Sequence, residues 1–571
     1  MPQPYGIIPA MSKRSSLAYL ALPCLLLALL VLSAVMTRPD RVLELERTPA
    51  VAAQPDFRQQ LGPAPAGESS PLIGPAVEAA RPAREGERRS SIDSSFSEAE
   101  LEALRALPVP ASSRIQAPGS EGGVAFSLGT NFDSIDITEC CDSGTLNPPD
   151  PELAVGPSHI IAVVNSSLEI YDKSGNSLAG PTPFEAFFSS LPGGCTGFPF
   201  DPNVLYDEAE DRFIVAADGD GDSYCVGVTQ TGDPLGAYFF YDFPADVNGE
   251  FFDYPHAGVG LEAIYVGANM FGNGSGRLFA FEKSAMYAGL PAAAVTHDLT
   301  TNGTPQPMNL HTPFPTSGPH YIVTARGGTG SPSLFGLFSW DDPFGANVLT
   351  DLATLDSTAV HGITVGFAPA NPQMGGGSIP GFSARALDFE YRNGSGWFTN
   401  GVSCNPGAGT RACVQWVEVD LATASIADAG VFGDDEFWRF LPDLAVNACG
   451  DMLVGYARSN SATFVGSQLA GRNPTDPAGT LQGELELKAG EVPFGGNDRW
   501  GDYTGMTVDP DGVTFWYLGE YSKNNGNSRN WGTYIGAASF PDCTQGHIFG
   551  DGFESGDTGS WSSTTTGLGA D

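Results

Sequence analysis

From about residue 149 to residue 543 the chain alternates short apolar runs with turns. The runs are rich in Val, Ile, Phe and Tyr and too short for helices, so they read as strands. Five stretches share one layout: "PDPELAVGPSHIIAVVNSSLEIYDKSG" from Pro149, "FDPNVLYDEAEDRFIVAADG" from Phe200, "DYPHAGVGLEAIYVGANMF" from Asp253, "LPDLAVNACGDMLVGYARSN" from Leu441 and "DYTGMTVDPDGVTFWYLGEY" from Asp502. Each opens on an acidic or Pro-containing step and a short apolar strand. A turn carrying Gly, Asp or Glu follows, then a second and often a third strand. Repetition of three or four antiparallel strands at roughly 50–65-residue intervals predicts an all-β fold, a radial β-propeller whose blades bury their faces against one another. Two less regular units fit around His311 to Leu355 and Gly375 to Phe432. The expected count is seven, with six or eight open because irregular units are hard to delimit.

The flanks follow different patterns. Lys13 and Arg14 precede an apolar stretch from Leu17 to Met36. That is the layout of an export element, so residues 1–36 are expected to be a signal peptide or an uncleaved signal anchor spanning the membrane once through residues 17–36. Residues 37–125 are rich in Pro, Ala, Glu, Arg and Ser and read as a disordered linker. Within it, "SEAELEALRAL" (Ser97 to Leu107) has a capping-box start and leucines on one face, which predicts a short helix. The propeller is expected over 126–543, and 544–571 as a C-terminal tail.

Charge narrows the partners. With 66 Asp and Glu against 27 Lys and Arg, the formal net charge is −39. This disfavours nucleic acid, whose phosphates need clustered cations. Apart from Cys24 in the apolar stretch there are eight cysteines: Cys140, Cys141, Cys195, Cys225, Cys404, Cys413, Cys449 and Cys543. An even count in an exported chain suggests disulfides, Cys404 with Cys413 and Cys195 with Cys225 being the local candidates. No Cys/His spacing suits a structural zinc site.

The stretches "PPDPELAVGPSHIIAVVN" (148–165), "FDPNVLYDEAEDRF" (200–213), "CVGVTQTGDPLGAYFFYDFP" (225–244), "FFDYPHAGV" (251–259), "GRLFAFEKSAMYAG" (276–289) and "RWGDYTGMTVDP" (499–510) resemble, in matching order, a family of exported bacterial β-propeller proteins of uncharacterised function. The resemblance implies the fold and export but carries no reaction. That family commonly has a Cys before the "TFW" of its last blade. Val513 stands there in this chain, which leaves Cys543 to pair elsewhere, Cys140 or Cys141 being candidates that would close the ring. "TVDPDGVTFW" (Thr507 to Trp516) resembles the Asp-box turn of sialidase-type propellers with one extra residue. Asp509 would bond turn amides there, and Phe515 or Trp516 would pack inward. The tail segment "DGFESGD" (551–557) is similar to a short C-terminal sequence of many exported bacterial proteins, and implies sorting or surface attachment.

No Gly-x-Ser-x-Gly, HExxH or GxxxxGK[ST] element is present. If the repeats align, Asp150, Asp201, Asp253, His256, Asp443, Arg499, Trp500, Asp502 and Tyr503 gather at one mouth of the central channel. Asp253, His256, Arg499, Trp500, Asp502 and Tyr503 are the ligand-binding candidates, since carboxylates and an aromatic ring together suit sugar hydroxyls. The structural alternative is that each repeated Asp caps the turn entering its blade. Asp218, Asp220 and Asp222 in "DGDGD" have the alternation of a calcium loop but lack an EF-hand's distal Glu. The sequence therefore favours a secreted or surface-bound protein that binds a glycan or protein ligand. A polysaccharide hydrolase or lyase with carboxylates at the channel mouth, and a structural protein with no small-molecule site, remain open. Exposed Trp and Tyr would favour the binder, a wet polar mouth the enzyme, and a plugged channel the structural or interaction protein.

Overall fold

The computed structural model describes residues 98–118, 123–140 and 146–543, apart from 273–274, 301, 327–331, 382–384 and 496–498. The apolar segment 17–36, the linker up to residue 97, Cys141 and the tail from residue 544 lie outside the described residues. Among the described residues no helix is long and apolar enough to cross a membrane.

Seven four-stranded antiparallel sheets form the blades of a seven-bladed β-propeller. Six are local meanders. Blade 1 is β2 (Glu152–Val155), β3 (His159–Val164), β4 (Ser167–Asp172) and β5 (Ser177–Pro183), and blade 2 is β6 (Pro199–Asp207), β7 (Arg212–Gly219), β8 (Ser223–Thr229) and β9 (Tyr238–Pro244). Blade 3 runs from β10 (Phe251–Val259) through β11 (Ala263–Phe271) and β12 (Ser275–Glu282) to β13 (Ala294–Asp298). Blade 4 is β14 (Gly303–Pro307), β15 (His320–Ala325), β16 (Leu334–Asp341) and β17 (Val348–Asp356). A two-stranded insertion, β18 (Asn371–Pro372) with β19 (Ser378–Ile379), precedes blade 5, whose strands are β20 (Leu387–Arg392), β21 (Ser395–Cys404), β22 (Arg411–Asp420) and β23 (Ser425–Phe432). Blade 6 is β24 (Trp438–Val446), β25 (Met452–Asn460), β26 (Thr463–Arg472) and β27 (Glu484–Lys488).

Blade 7 closes the ring with both ends of the domain. Its inner three strands are β28 (Gly505–Val508), β29 (Phe515–Ser522) and β30 (Trp531–Ser539). The outer strand is β1 (Ser127–Asp136), paired antiparallel to β30 from Ser127↔Ser539 to Asp136↔Gly532. Because strands alternate in direction, the propeller has two loop faces: an entry face where every innermost strand begins and an exit face where it ends.

The blades bury their apolar faces in shared cores. Blades 2 and 3 join through Tyr224, Phe243, Phe252, Phe279 and Phe281, with the Phe243 and Phe281 rings 4.2 Å apart. Blade 6 packs on blade 7 through Leu453, Leu469, Met506, Phe515 and Tyr517. Tight approach excludes side chains at some positions: a Cβ on Gly267 would lie 2.1 Å from the Pro305 carbonyl oxygen of the next blade.

Residues 98–118, placed in a disordered linker by composition, are instead held against the propeller. Helix α1 (Glu98–Arg105) buries Leu101 against Phe367. Further on, Gln116 pairs with Phe432 of blade 5, and its side chain bonds the backbone of Leu481. The hydrophobic face of the helix and these edge hydrogen bonds supply the order that the average composition does not suggest.

Three disulfides have both partners among the described residues. Cys195–Cys225 ties blade 2, and Cys404–Cys413 staples the β21–β22 hairpin, both as expected. The third corrects the ring-closing pairing: Cys543 bonds Cys449, not Cys140 or Cys141. Strand direction explains this. Cys543 leaves β30 on the exit face, beside the β24–β25 turn that carries Cys449, whereas Cys140 follows the antiparallel β1 and emerges on the entry face, roughly 30 Å away along a ten-residue strand. Cys140 is also disulfide-bonded. Bridges of this kind belong to an oxidising compartment.

The Cys449–Cys543 bridge spans 94 residues and locks the strand that closes the ring. In the chain-entropy view such a loop constrains the unfolded state by about 4–5 kcal/mol. Replacing both cysteines with Ser should lower the unfolding free energy in urea by several kcal/mol, more than the same change at Cys404 and Cys413. Equal losses from the two pairs would contradict the role assigned to the longer one.

Candidate functional site

Six of the seven blades bring the chain into the channel through one local conformation. Asp150, Asp201, Tyr254, Thr304, Asp388 and Leu441 all have positive φ, between 46° and 58°. Proline follows in five cases (Pro151, Pro202, Pro255, Pro305, Pro442) and Phe389 in the sixth. In blades 2 to 6 the ladder slips register at this point. A proline has no N–H for the ladder, so a bulge is where an inner strand accommodates it. The bulge turns the second following residue toward the channel: Glu152, Asn203, His256, Gln306, Glu390 and Asp443. Blade 7 has Gly505 there, where a Cβ would come within 2.8 Å of the Glu152 backbone.

These polar side chains and their neighbours fasten blade to blade. Glu152 accepts from the Val204 N–H at 3.0 Å, and Asn203 donates to the Pro255 carbonyl at 3.1 Å. Asp150 accepts the Asp502 N–H at 2.7 Å and the Asn165 side chain at 2.5 Å, while Asn165 accepts the Asp201 N–H at 2.8 Å. On the far side, Asn309 accepts from the Val259 N–H and pairs its backbone with blade 5. Thr399 donates to the Pro442 carbonyl, joining blade 5 to blade 6.

Side chains close the entry end. Tyr254 and Tyr503 pack at 4.9 Å with His256 against both rings, and the Tyr254 hydroxyl crosses to the Asp502 carbonyl at 3.0 Å. The Arg385 guanidinium lies 4.5 Å from the centre of the Tyr254 ring. Trp500, 3% exposed, packs edge-on against Phe494, and Leu387, Phe440 and Leu441 complete the plug. Arg499 pairs with Asp502 at its rim.

A different device bridges the exit end. His311, in the loop after β14, bonds Glu208 of blade 2 through Nδ1 at 2.6 Å and Glu390 of blade 5 through Nε2 at 2.5 Å. The cavity lined by Glu152, Asp388, Glu390 and His311 has about 20 Å³ of space. That holds a water or an ion and falls far short of a sugar ring.

The channel is a crowd of buried acids. Burial and the Asp201 charge push Asp253 well above the usual carboxylate range, and Asp201 is raised by its burial against the opposing pull of Arg499. Asp218, pushed up by burial and Asp253, joins this group from the β7–β8 turn. Across the channel, burial and Glu390 raise Asp388 to about 7, while burial and Asp388 push Asp443 well above its normal range. Glu152 is driven up by burial and Asp388. Two inter-blade pairs, Asp201 with Asp253 and Asp388 with Asp443, therefore each hold a proton between them. Burial alone would depress His311, but Glu390 and Glu208 on its two nitrogens hold it up at about 9. His256, buried and near Arg385, is lowered to about 3 and is neutral.

Of the ligand-binding candidates, Asp253, His256, Trp500, Asp502 and Tyr503 converge at the entry end, all buried, with Arg499 partly exposed beside them. Asp218, Asp220 and Asp222 do not converge. Asp218 is buried and accepts the Gly221 N–H, while Asp220 and Asp222 are exposed. Among the described residues the one group with three metal-ligating atoms close together is Cys449, Asp451 and Cys543, whose sulfurs are already joined to each other. Asp509 works as a turn residue: its carboxylate takes the Asp511 N–H and the Trp516 indole, each at 3.0 Å, and Lys173 of blade 1 at 2.5 Å. Sequence reasoning missed Glu152, Asn203, Gln306, Glu390, Glu208 and His311. For the first four the available signal was a polar residue two places after each Asp-Pro-like step, inside an otherwise apolar strand; Glu208 and His311 lie in loops and carried none.

No protein-family model matches this sequence, and no curated protein sequence matches it. Solved structures similar to it include the Dos1 propeller, with 8% identity over 73% of this chain and 96% of that one and a TM-score of 0.33. The AfRom2 CNH domain shows 10% identity over 69% and 98%, with a TM-score of 0.31. A Trypanosoma rangeli sialidase bound to the inhibitor DANA shows 10% identity over 60% and 55%, with a TM-score of 0.29. At such identities no function transfers.

The protonated acids give a pH dependence with a definite sign. Each carboxyl has a higher pKa folded than unfolded, so its contribution is complete below about pH 4 and drains away as pH rises through the folded value, near 7 for Asp388. His311, raised to about 9, acts in the same direction at higher pH. His256 and His320, lowered to about 3, act the opposite way below about pH 6.5, so the melting temperature should fall from pH 6.5 to pH 8. Asp388→Asn, neutral and tolerant of positive φ, should flatten that slope and gain about 1–3 kcal/mol over the parent at pH 8. A melting temperature that rises over this interval would contradict the assignment.

Proposed function

We propose that this chain is an extracellular recognition protein that binds a protein partner through the exit face of its propeller and performs no chemistry in the channel. The observation that carries this reading is the narrowness of the channel, plugged at the entry end by Tyr254, Trp500 and Tyr503 and crossed at the exit end by the Glu208–His311–Glu390 bridge. The aromatic rings that would stack on a sugar at the entry mouth are buried, and the remaining cavity admits only a water or an ion. Each acid pair also has a fastening role between two blades, which accounts for it without a substrate.

The exit face carries a run of acids over three consecutive blades. Glu210, Asp211, Asp233, Glu262, Asp341 and Asp342 lie exposed on the turns of blades 2 to 4. Of the cations beside them, Lys283 is buried and committed to Asp207 at 2.8 Å, and Arg212, half-exposed, donates to the Glu210 and Asp211 carbonyls. A surface of this kind steers a basic partner toward it. Export and surface retention, expected from residues 1–36 and from the tail, belong to the same proposal.

The test is binding of the full chain to cationic proteins on a biosensor. Three reversals on the exit face (Glu210→Lys, Asp233→Lys, Asp341→Lys) are compared with three on the entry face (Asp222→Lys, Asp246→Lys, Glu436→Lys). The two variants have the same net charge, so the exit-face variant should lose at least tenfold more affinity at 0.15 M salt. Equal losses would mean that only net charge matters. Binding on a glycan array that is abolished by Asp502→Asn would replace this reading with a saccharide site at the entry mouth.

A further inference from the structure

On the exit face, where blade 6 meets blade 7, a carboxylate stands beside the disulfide that locks the ring. The sulfurs of Cys449 and Cys543 and an oxygen of Asp451 all lie within 4.8 Å of one another. Among the described residues neither of the other two bridges has an acid or a histidine so placed. The turn that carries Cys449 and Asp451 is fixed from within. Asn447 Oδ1 accepts the Cys449 N–H at 3.0 Å and the Asp451 N–H at 2.9 Å, and Gly450 takes the positive φ, 83°, that the turn requires. The same turn is tied to blade 7 by the Ala448 N–H, which donates to the Gly512 carbonyl at 2.8 Å.

The second observation is a buried acid with no counter-charge. Asp451 is 4% exposed, and among the described residues no cation forms an ion pair with it; Arg472 of the same blade is committed to Asp428 at 2.7 Å. The Asp451 carboxylate instead receives two neutral donors, Asn447 Nδ2 on one oxygen at 2.9 Å and Asn473 Nδ2 on the other at 2.7 Å. Amides orient a carboxylate but leave its charge uncompensated, and a buried carboxylate is ordinarily paired with a cation or bound to a metal. Each oxygen keeps a further lone pair for such a partner. Cys449 is half-buried at the surface of the turn, which gives an ion a way in.

We propose that, when the bridge is reduced, Cys449, Cys543 and Asp451 bind one zinc ion, which then joins blade 6 to blade 7 where the disulfide did. Two thiolates and a carboxylate are a zinc donor set, with the fourth tetrahedral position left to water. Calcium and magnesium need more oxygen ligands than the turn offers. Zinc–sulfur bonds of roughly 2.3 Å would set the sulfurs roughly 3.8 Å apart. Rotation about the two Cα–Cβ bonds covers that change with the Cα atoms left 5.8 Å apart. The exchange balances. A dithiol reductant passes two electrons and two protons to the bridge and leaves as its own disulfide, and zinc displaces the protons from the two thiols. In reverse, a disulfide oxidant takes two electrons from the thiolates and two protons from solvent, the Cys449–Cys543 bond forms again and the ion departs. The cysteines are 94 residues apart, so no spacing along the chain shows the site.

The test uses the full chain, zinc as the probe and a phosphine reductant. The parent is compared with a Cys449→Ser, Cys543→Ser variant, which keeps every other cysteine. Once reduced, the parent should take up about one more zinc per chain than the variant, counted by mass spectrometry, and zinc should raise the melting temperature of the parent more. The oxidised parent should show no such excess. Cadmium in place of zinc should give a thiolate absorption in the ultraviolet that the variant lacks. Asp451→Asn should weaken zinc in the reduced chain by at least the roughly tenfold that loss of an outer-shell partner costs, while the oxidised protein still forms the disulfide by free-thiol count. Equal uptake by parent and cysteine variant would place the ion on other cysteines and overturn the proposal. Unchanged zinc affinity in Asp451→Asn would also overturn it. If that variant does not fold, the cadmium comparison of parent with cysteine variant decides alone.

Discussion

The whole propeller depends on how seven innermost strands are held around an axis that, beyond the apolar entry plug, is lined by polar side chains. Between blades, Phe, Leu, Val and Tyr make ordinary close-packed cores. Along the axis six of the seven strands instead present a polar residue two places after a residue in the left-handed region, and two of these side chains reach the backbone of the next blade. Glu152 on Val204 and Asn203 on Pro255 are the pattern. Every such bond is buried, so its loss exposes an unmet donor or acceptor and costs more than the bond itself contributes. Thr304 and Leu441 hold positive φ at the same step, a conformation such residues avoid. The bulge is what aims the fastening side chain.

Filling the axis with acids has an electrostatic consequence. Carboxyls this close in a dry space cannot all ionise, and the channel resolves the conflict by sharing protons within the Asp201–Asp253 and Asp388–Asp443 pairs and by inserting one imidazolium, His311, between Glu208 and Glu390. The same groups that might suggest an acid–base catalyst thus have a structural function between blades. With the channel filled, the loops of the exit face are left to carry recognition, as they do on many rigid scaffolds.

Much of the fold was legible in the sequence because it repeats. Blades 1, 2, 3, 6 and 7 announced themselves through the step before the inner strand: Asp150-Pro151, Asp201-Pro202, Tyr254-Pro255, Leu441-Pro442 and Tyr503-Thr504. Blades 4 and 5 were harder, since Thr304-Pro305 has no acid beside it, whereas Tyr254-Pro255 and Leu441-Pro442 do, and Asp388-Phe389 lacks the proline. Repeat alignment grouped the entry-mouth residues, but alignment could not say that Trp500 and Tyr503 turn inward and pack there. The cross-channel contacts were out of reach. Nothing in the chain links Glu208, His311 and Glu390, which lie about a hundred residues apart and meet only because three blades face one axis. The Cys449–Cys543 bridge was hidden for a related reason, because it depends on which face a strand leaves by, and this is set by the ring closure at β1.

Closure of the channel is the claim on which the functional reading turns, and hydrogen–deuterium exchange of the full chain measures it directly. Amides that donate across the axis or between inner strands, those of Val204, Val259 and Asp502, should be among the slowest to exchange, and peptides covering 150–156, 200–206 and 499–505 should stay protected for hours at neutral pH. Exchange of those peptides within seconds, while the outer blade cores remain protected, would mean that the plug opens in the native state and that the channel, rather than the exit face, is where a ligand enters.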